Sequence, residues 1–124
     1  MDEKIIDAAI QDTIALTEAA RDYVLASQDR VFEDPMQRLA VIRQSSRLTN
    51  LLTNILSWLM WHKAAAAGEI GPDELAVKTQ EFEAEGCLKN DPAGLPQDLS
   101  ALILRGNDLS ARVQSIARSV GQEA

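Results

Sequence analysis

The chain has 124 residues, the length of one domain, and its 46% of hydrophobic residues is enough for a packed core. Its formal net charge of −7 argues against nucleic acids and anionic membranes as partners, because both attract basic surfaces. The only cysteine, Cys87, rules out a disulfide within the chain. Aromatic residues make up only 4%, which favours helices over sheets. We therefore expect one all-α domain over residues 1–124.

The first predicted helix covers residues 2–30, with acids at its start that suit the positive end of the helix dipole. Its predicted buried face, at helical spacing, consists of Ile6, Ile10, Thr13, Thr17, Ala20, Val24, Ser27 and Val31. Ile14 and Leu25 lie about 100° round from the centre of that face. They are either isolated surface residues or part of a second contact surface. The segment lacks the regions of a signal peptide, so we expect a cytoplasmic protein.

The second predicted helix covers residues 35–67, with Asp34 as its N-cap and Pro35 at its first position. Its main apolar stripe consists of Val41, Leu48, Leu52, Ile55 and Leu59. The other side carries no charged residue from Leu48 to Trp61. Because solvated helix faces normally carry charge, we interpret this side as a second packing surface. It would contact either the rest of the bundle or a second subunit; a mildly polar exposed face is the alternative.

The candidate protein-contact surface joins this neutral side to neighbouring residues of the first two helices. Its members are Ile14, Leu25, Arg43, Thr49, Asn50, Thr53, Asn54, Ser57, Met60 and Trp61. We expect Arg43 and Arg47 to pair with acids of the first helix such as Glu18 or Asp22, since the second helix is basic and its neighbour acidic. The alternative is a basic patch for an acidic protein partner.

Two further helices complete the predicted fold. The third, over residues 72–85, is short and acidic and should bury Leu75, Thr79 and Phe82; a loop over residues 87–95 follows. The fourth covers residues 96–120, and Gly106 on its apolar face predicts a close helix crossing. The predicted fold class is an antiparallel up-down bundle of three long helices plus one short acidic helix.

The sequence offers no recognisable catalytic, metal or cofactor site. His62 is the only histidine, and no cluster of ligand residues accompanies it, so we expect no metal centre. Phosphate-binding loops and nucleophile motifs are absent. Cys87 is most simply a structural thiol, and Glu81 and Glu85 belong to a solvated acidic face. We therefore expect a protein without enzymatic activity or cofactor that acts by contacting other proteins.

The segment over residues 47–69 resembles the regulator of CtrA degradation family of alphaproteobacteria. The shared residues are Arg47-Leu48-Thr49, Ser57-Trp58-Leu59 and Gly68-Glu69, with Leu95-Pro96 before the last helix. The resemblance implies a dimeric helical adaptor that helps deliver cell-cycle regulators to the ClpXP protease. The implied partners are a second copy, the protease, its response-regulator adaptors and cargo.

Two other functions are open at this stage. The chain is either a self-associating structural bundle without a protease link, or a sensor that holds a small molecule near Trp58 and Trp61. The founding type of the resembled family carries a flexible C-terminal extension, whereas only residues 121–124 follow the last predicted helix here. Whether the chain keeps the adaptor activity without that extension is a further open question.

Overall fold

The computed structural model describes residues 3–85 and 95–123, and these residues fold into four α-helices. The helices are α1 (Glu3–Ser27), α2 (Pro35–Ala66), α3 (Pro72–Glu85) and α4 (Gln97–Glu123). The described residues contain no β-strand and the helices pack on one another, so the predicted all-α bundle is confirmed. Cys87 and most of the predicted loop around it lie outside the described residues.

Helix boundaries differ from the prediction mainly at the end of α1 and the end of α4. α1 ends at Ser27, three residues early, where the Ser27 hydroxyl donates a hydrogen bond to the Val24 carbonyl. Serine hydroxyls compete in this way with helix continuation. Val31 therefore lies beyond the helix and is 90% exposed, so its predicted burial was wrong. Thr17, within the helix, is also exposed rather than buried. At the other end of the chain α4 continues to Glu123, which makes residues 121–123 helical.

The start and end of α2 follow from local chemistry. The Asp34 carboxylate accepts a hydrogen bond from the Met36 amide at 2.9 Å, and Pro35 occupies the first helical position. After the helix, Gly68 adopts a φ of 78°, which residues with a Cβ atom rarely adopt. Its amide donates to the Ala65 carbonyl at 3.1 Å, which satisfies one of the last carbonyls of the helix.

Removing this N-cap should weaken the domain measurably. We expect Asp34→Ala to lower the free energy of unfolding by about 1 kcal/mol, because one amide of the first turn loses its acceptor. Asp29→Ala is the matched control: it removes an exposed acid that forms no side-chain hydrogen bond with the described residues. Urea denaturation followed by circular dichroism measures both variants. Equal stability of the two would show that the cap contributes nothing.

Ion pairs mark how the long helices run relative to one another. Asp7 near the start of α1 accepts a hydrogen bond from Lys63 near the end of α2 at 2.6 Å. This bond raises the pKa of the Lys63 ammonium. Asp12 of α1 pairs with Arg112 of α4 at 2.6 Å, and Arg30 lies 3.8 Å from Asp98. α1 is therefore antiparallel to both α2 and α4.

The core lies between α1, α2 and α4. All five residues of the predicted stripe of α2 are buried. Gly106 of α4 lies so close to α2 that a Cβ atom there would be 2.7 Å from Leu48 Cδ1, which confirms the predicted crossing. A smaller cluster closes one end, where Val41, Ile103 and the half-buried Tyr23 meet. Burial, with Asp98 nearby, raises the pKa of the Tyr23 hydroxyl.

α3 closes the other end of the bundle around Trp58. The Trp58 indole N–H donates a hydrogen bond to the Thr79 hydroxyl at 2.9 Å, and its ring stacks on Phe82 at 5.6 Å. The Gln114 amide of α4 donates to the Phe82 carbonyl at 3.2 Å. Thr79 and Phe82 are buried as predicted, and Leu75 is half-buried. α3 thus packs against the rest of the bundle through the one side that carries these residues.

Candidate protein-contact surface

An uncharged, exposed strip runs along the side of α2 that faces away from the core. We call it the outer face of α2; it consists of Leu39, Ile42, Ser46, Thr49, Asn50, Thr53, Ser57 and Met60. All eight side chains are exposed and none carries a charge. At 1.5 Å per residue the strip is about 32 Å long. Exposed helix faces of this length normally carry charge, so the strip differs from an ordinary solvated surface.

Two threonines in the middle of the outer face direct their hydroxyls inward to the backbone. Thr49 Oγ1 donates to the Ser45 carbonyl at 3.0 Å, and Thr53 Oγ1 donates to the Thr49 carbonyl at 2.9 Å. Their methyl groups remain as the outward part of each side chain. Because the hydroxyls already have acceptors, covering them with another protein removes fewer hydrogen bonds to water.

The ends of the outer face are apolar. Leu39 is 54% exposed and Ile42 53% at one end, and Met60 is 53% exposed at the other. Single exposed apolar residues are ordinary, but a row at helical spacing is typical of a contact surface. The sequence interpretation missed Leu39 and Ile42, although they continue the i, i+3, i+7 spacing of the neutral residues towards the start of the helix.

The ten predicted contact residues lie in four places. Thr49, Asn50, Thr53, Ser57 and Met60 lie on the outer face, where no described helix of the same chain covers them. Asn54 and Trp61 are half-buried beside α3, and Arg43 is exposed at the edge of the outer face. Ile14 and Leu25 lie on α1 and are 38% and 54% exposed.

The cleft beside Trp61 is small. Lys78 Nζ lies 4.8 Å from the centre of the Trp61 ring and 3.6 Å from Glu81 Oε2. The side chains that line the cleft therefore already interact with one another. The volume between α2 and α3 here is about 250 Å³, less than the range usual for ligand sites. Trp58 is only 1% exposed and offers no surface to a ligand. This geometry gives little support to a small-molecule site at the tryptophans.

A larger groove separates α1 from the first half of α2, with a volume of about 470 Å³. Its walls include Val24 on α1 and Gln28 just after it, and Ile42 and Thr49 on α2. Ser45 on its floor is only 8% exposed, and its hydroxyl has no hydrogen-bond partner among the described residues. The sequence interpretation did not identify this groove, because it depends on how the two helices diverge.

The expected ion pairs of Arg43 and Arg47 do not form within the chain. Neither guanidinium lies within ion-pair distance of a described acid, and Asp22 pairs only with its neighbour Arg21 at 3.5 Å. The reason is helix geometry. Ser45 faces the groove beside α1, and residues two positions away on either side point about 160° away from it. Both arginines therefore lie along the edge of α2 that is remote from α1.

Within residues 3–85 and 95–123, no group of three or more histidine, cysteine, aspartate or glutamate side chains is placed to hold a metal ion. His62 lies against Trp58, with ring centres 5.6 Å apart. In the same part of the chain, no helix combines the length and apolar character needed to cross a membrane.

Comparison with known proteins places the chain in a family and goes no further. The sequence matches no curated protein and no solved structure. It does match the family described as "Protein of unknown function (DUF1465)", and the match extends over residues 1–124. With the whole sequence covered, the chain belongs to the DUF1465 family.

Proposed function

We propose that the protein is a non-enzymatic interaction module, similar to an adaptor for regulated proteolysis, that contacts other proteins through the outer face of α2. The observation that carries this proposal is the face itself: eight exposed, uncharged residues in a row on the longest helix. In a partner complex such a face is buried without leaving a charge unpaired, and an unpaired buried charge costs several kcal/mol.

The partners follow from the sequence resemblance in the centre of α2. The resemblance to the regulator of CtrA degradation family implies that the protein contacts the ClpXP protease, response-regulator adaptors or cell-cycle cargo in the cytoplasm. The same resemblance implies that the protein forms a homodimer. The residues shared with that family include both exposed Thr49 and buried Trp58, so the resemblance combines surface and core positions.

A charge placed in the centre of the outer face should abolish partner binding without unfolding the protein. Thr53→Lys replaces an exposed threonine with a better helix former, while the new ammonium would be buried and unpaired in a complex. Immobilised wild-type protein should retain ClpX or a response regulator from an alphaproteobacterial lysate. We expect Thr53→Lys to retain less than about a tenth of that amount.

The matched control is Ala111→Lys, which adds the same charge to an exposed position of α4. It should retain the partners as the wild type does. Quantitative mass spectrometry of the eluates gives the amounts, and circular dichroism verifies that each variant is folded. If the folded wild type retains neither the protease nor a response regulator, the adaptor function is wrong.

A structural, self-associating bundle is the second candidate function, because the same face fits a second copy. The two candidates differ in what the wild type retains. A protein that dimerises in light scattering but retains no other protein from the lysate would be a self-associating bundle rather than an adaptor.

A further inference from the structure

Opposite charges that form no ion pair with one another lie on neighbouring helices of the described chain; Asp22 pairs only with its neighbour Arg21. Residues 35–66 hold four bases and no acid; of these, Lys63 pairs with Asp7, whereas Arg43 and Arg47 have no ion pair with described residues. On α1, Glu18 is exposed and also has no ion pair with them. The chain thus contains acids on α1 and arginines on α2 that could form ion pairs but are too far apart to do so within one copy.

The two sets of charges lie at opposite edges of one surface. α1 and α2 flank the groove, which Val24 and Ser45 line from either side. Asp22 precedes Val24 by two residues and Arg47 follows Ser45 by two residues. Each therefore points about 160° away from the groove, in opposite directions. We call the surface between these edges the α1–α2 face; it consists of Ile14, Glu18, Arg21, Asp22 and Leu25 together with Arg43, Arg47 and the outer face of α2. Arg21 lies 3.5 Å from Asp22, so the part of this face on α1 has a net charge of −1.

The acids and arginines lie at neighbouring heights along the helices. Because α1 and α2 are antiparallel and rise equally per residue, each step forward on α1 corresponds to one step back on α2. With the contact between Asp7 and Lys63 as reference, Asp22 lies level with about position 48 of α2 and Glu18 with about position 52. Arg47 is one residue from the level of Asp22 and five residues, about 7.5 Å, from that of Glu18, a distance that the long side chains can span. Arg43 lies one turn beyond Arg47.

A second copy can join these charges in only one of the two simple symmetric arrangements. A two-fold axis parallel to the helices places α1 of one copy on α2 of the other at the same height, so that each acidic edge meets an arginine edge. A two-fold axis perpendicular to the helices places α1 on α1 and sets acids against acids. Two-fold symmetry makes every contact occur twice, which doubles the difference between the arrangements.

We propose that two copies of this chain pair through their α1–α2 faces, with α1 of each copy lying on α2 of the other and Glu18 and Asp22 facing Arg43 and Arg47. The proposal rests on the homodimer of the proposed function and specifies its geometry. Because the dimer covers the outer face of α2, a second copy and the other partners compete for that face, and partner binding requires the monomer. Leu25 of one copy then lies within one turn of the height of Ile42 of the other, so apolar residues can meet as well. The unpartnered Ser45 hydroxyl in the groove comes within the interface, where polar groups of a second copy can satisfy it.

Charge reversal distinguishes this pairing from any other dimer. One variant combines Glu18→Arg with Asp22→Arg, and another combines Arg43→Glu with Arg47→Glu. Each should raise the dimer dissociation constant about tenfold or more, since every attractive pair becomes repulsive. The variant that carries all four substitutions restores opposite charges and should return to within about threefold of the wild type. Arg118→Glu, at an exposed position of α4, is the control and should leave the constant unchanged.

Sedimentation equilibrium of the full chain gives each dissociation constant, and circular dichroism verifies folding. If the fourfold variant dimerises as weakly as either double variant, the pairing is wrong. If the wild type dimerises and the double variants match it, the pairing is wrong but the homodimer stands. If the wild type is monomeric at millimolar concentration, both the pairing and the homodimer are wrong, whereas the adaptor function still depends on the lysate experiment.

Discussion

Trp58→Ala should lower the free energy of unfolding by about 4 kcal/mol, the largest effect that we expect from a single substitution. Trp58 is 1% exposed, stacks on Phe82 and donates its indole N–H to Thr79. Removing the ring opens a cavity where α2, α3 and α4 meet. A domain of this size is typically stable by only 5–15 kcal/mol, so the variant should unfold at much lower urea concentration.

Trp61→Ala is the matched control on the same helix. Trp61 is half-buried and its ring contacts Lys78, a cation–π interaction worth about 0.5–1 kcal/mol at an exposed site. We therefore expect a loss of about 1 kcal/mol or less. Urea denaturation monitored by far-ultraviolet circular dichroism compares the two variants. Similar losses for Trp58→Ala and Trp61→Ala would mean that α3 does not close the bundle as described.

Gly106→Leu should destabilise the domain by about 2 kcal/mol, the second largest effect. The space beyond Gly106 is occupied by Leu48 and Leu51 of α2, with a Cβ atom only 2.7 Å from the nearer methyl group. A leucine side chain would force the two helices apart, and overpacking of this kind typically costs 1–3 kcal/mol. Replacing a glycine within a helix also raises the helix propensity, and this gain offsets only part of the overpacking cost.

Gly106→Ala separates the two contributions. Its single methyl group requires only the end of the Leu48 side chain to move, while the helix gains about 1 kcal/mol in propensity. We expect its stability to be within about 1 kcal/mol of the wild type. Ala111→Leu, on the exposed side of α4, should change stability by less than about 0.5 kcal/mol. Equal stability of Gly106→Leu and the wild type would contradict the close crossing.

Local chemistry made much of the fold predictable. Pro35 with Asp34, and Pro72 after Gly71, set the starts of α2 and α3 at the predicted residues. The end of α1 was harder, because no glycine or proline follows it closely and a serine at the last position is only a weak end signal. Periodicity predicted the buried stripe of α2 because that stripe is continuously apolar from Leu48 onwards, whereas the burial of Gln44 and Ser45 gave no such signal.

Properties that depend on how helices are placed were not predictable. The sequence indicated that Arg43 and Arg47 have acidic counterparts on α1, and opposite charge was the only guide available. Which edge of α2 adjoins α1 is a tertiary property, and it leaves both arginines on the remote side. The neutral side of α2 was recognisable from composition, whereas its extension to Leu39 and the groove beside α1 required the coordinates of both helices.

The different burial of the two tryptophans supplies a built-in pair of spectroscopic reporters. Trp58 is enclosed by the bundle, whereas Trp61 is half-buried at the end of α2, one residue after Met60 of the outer face. A partner that covers this end of the helix would exclude water from Trp61 and leave the surroundings of Trp58 as they are. Fluorescence emission of the unlabelled protein can therefore distinguish docking, which alters one indole, from unfolding, which exposes both.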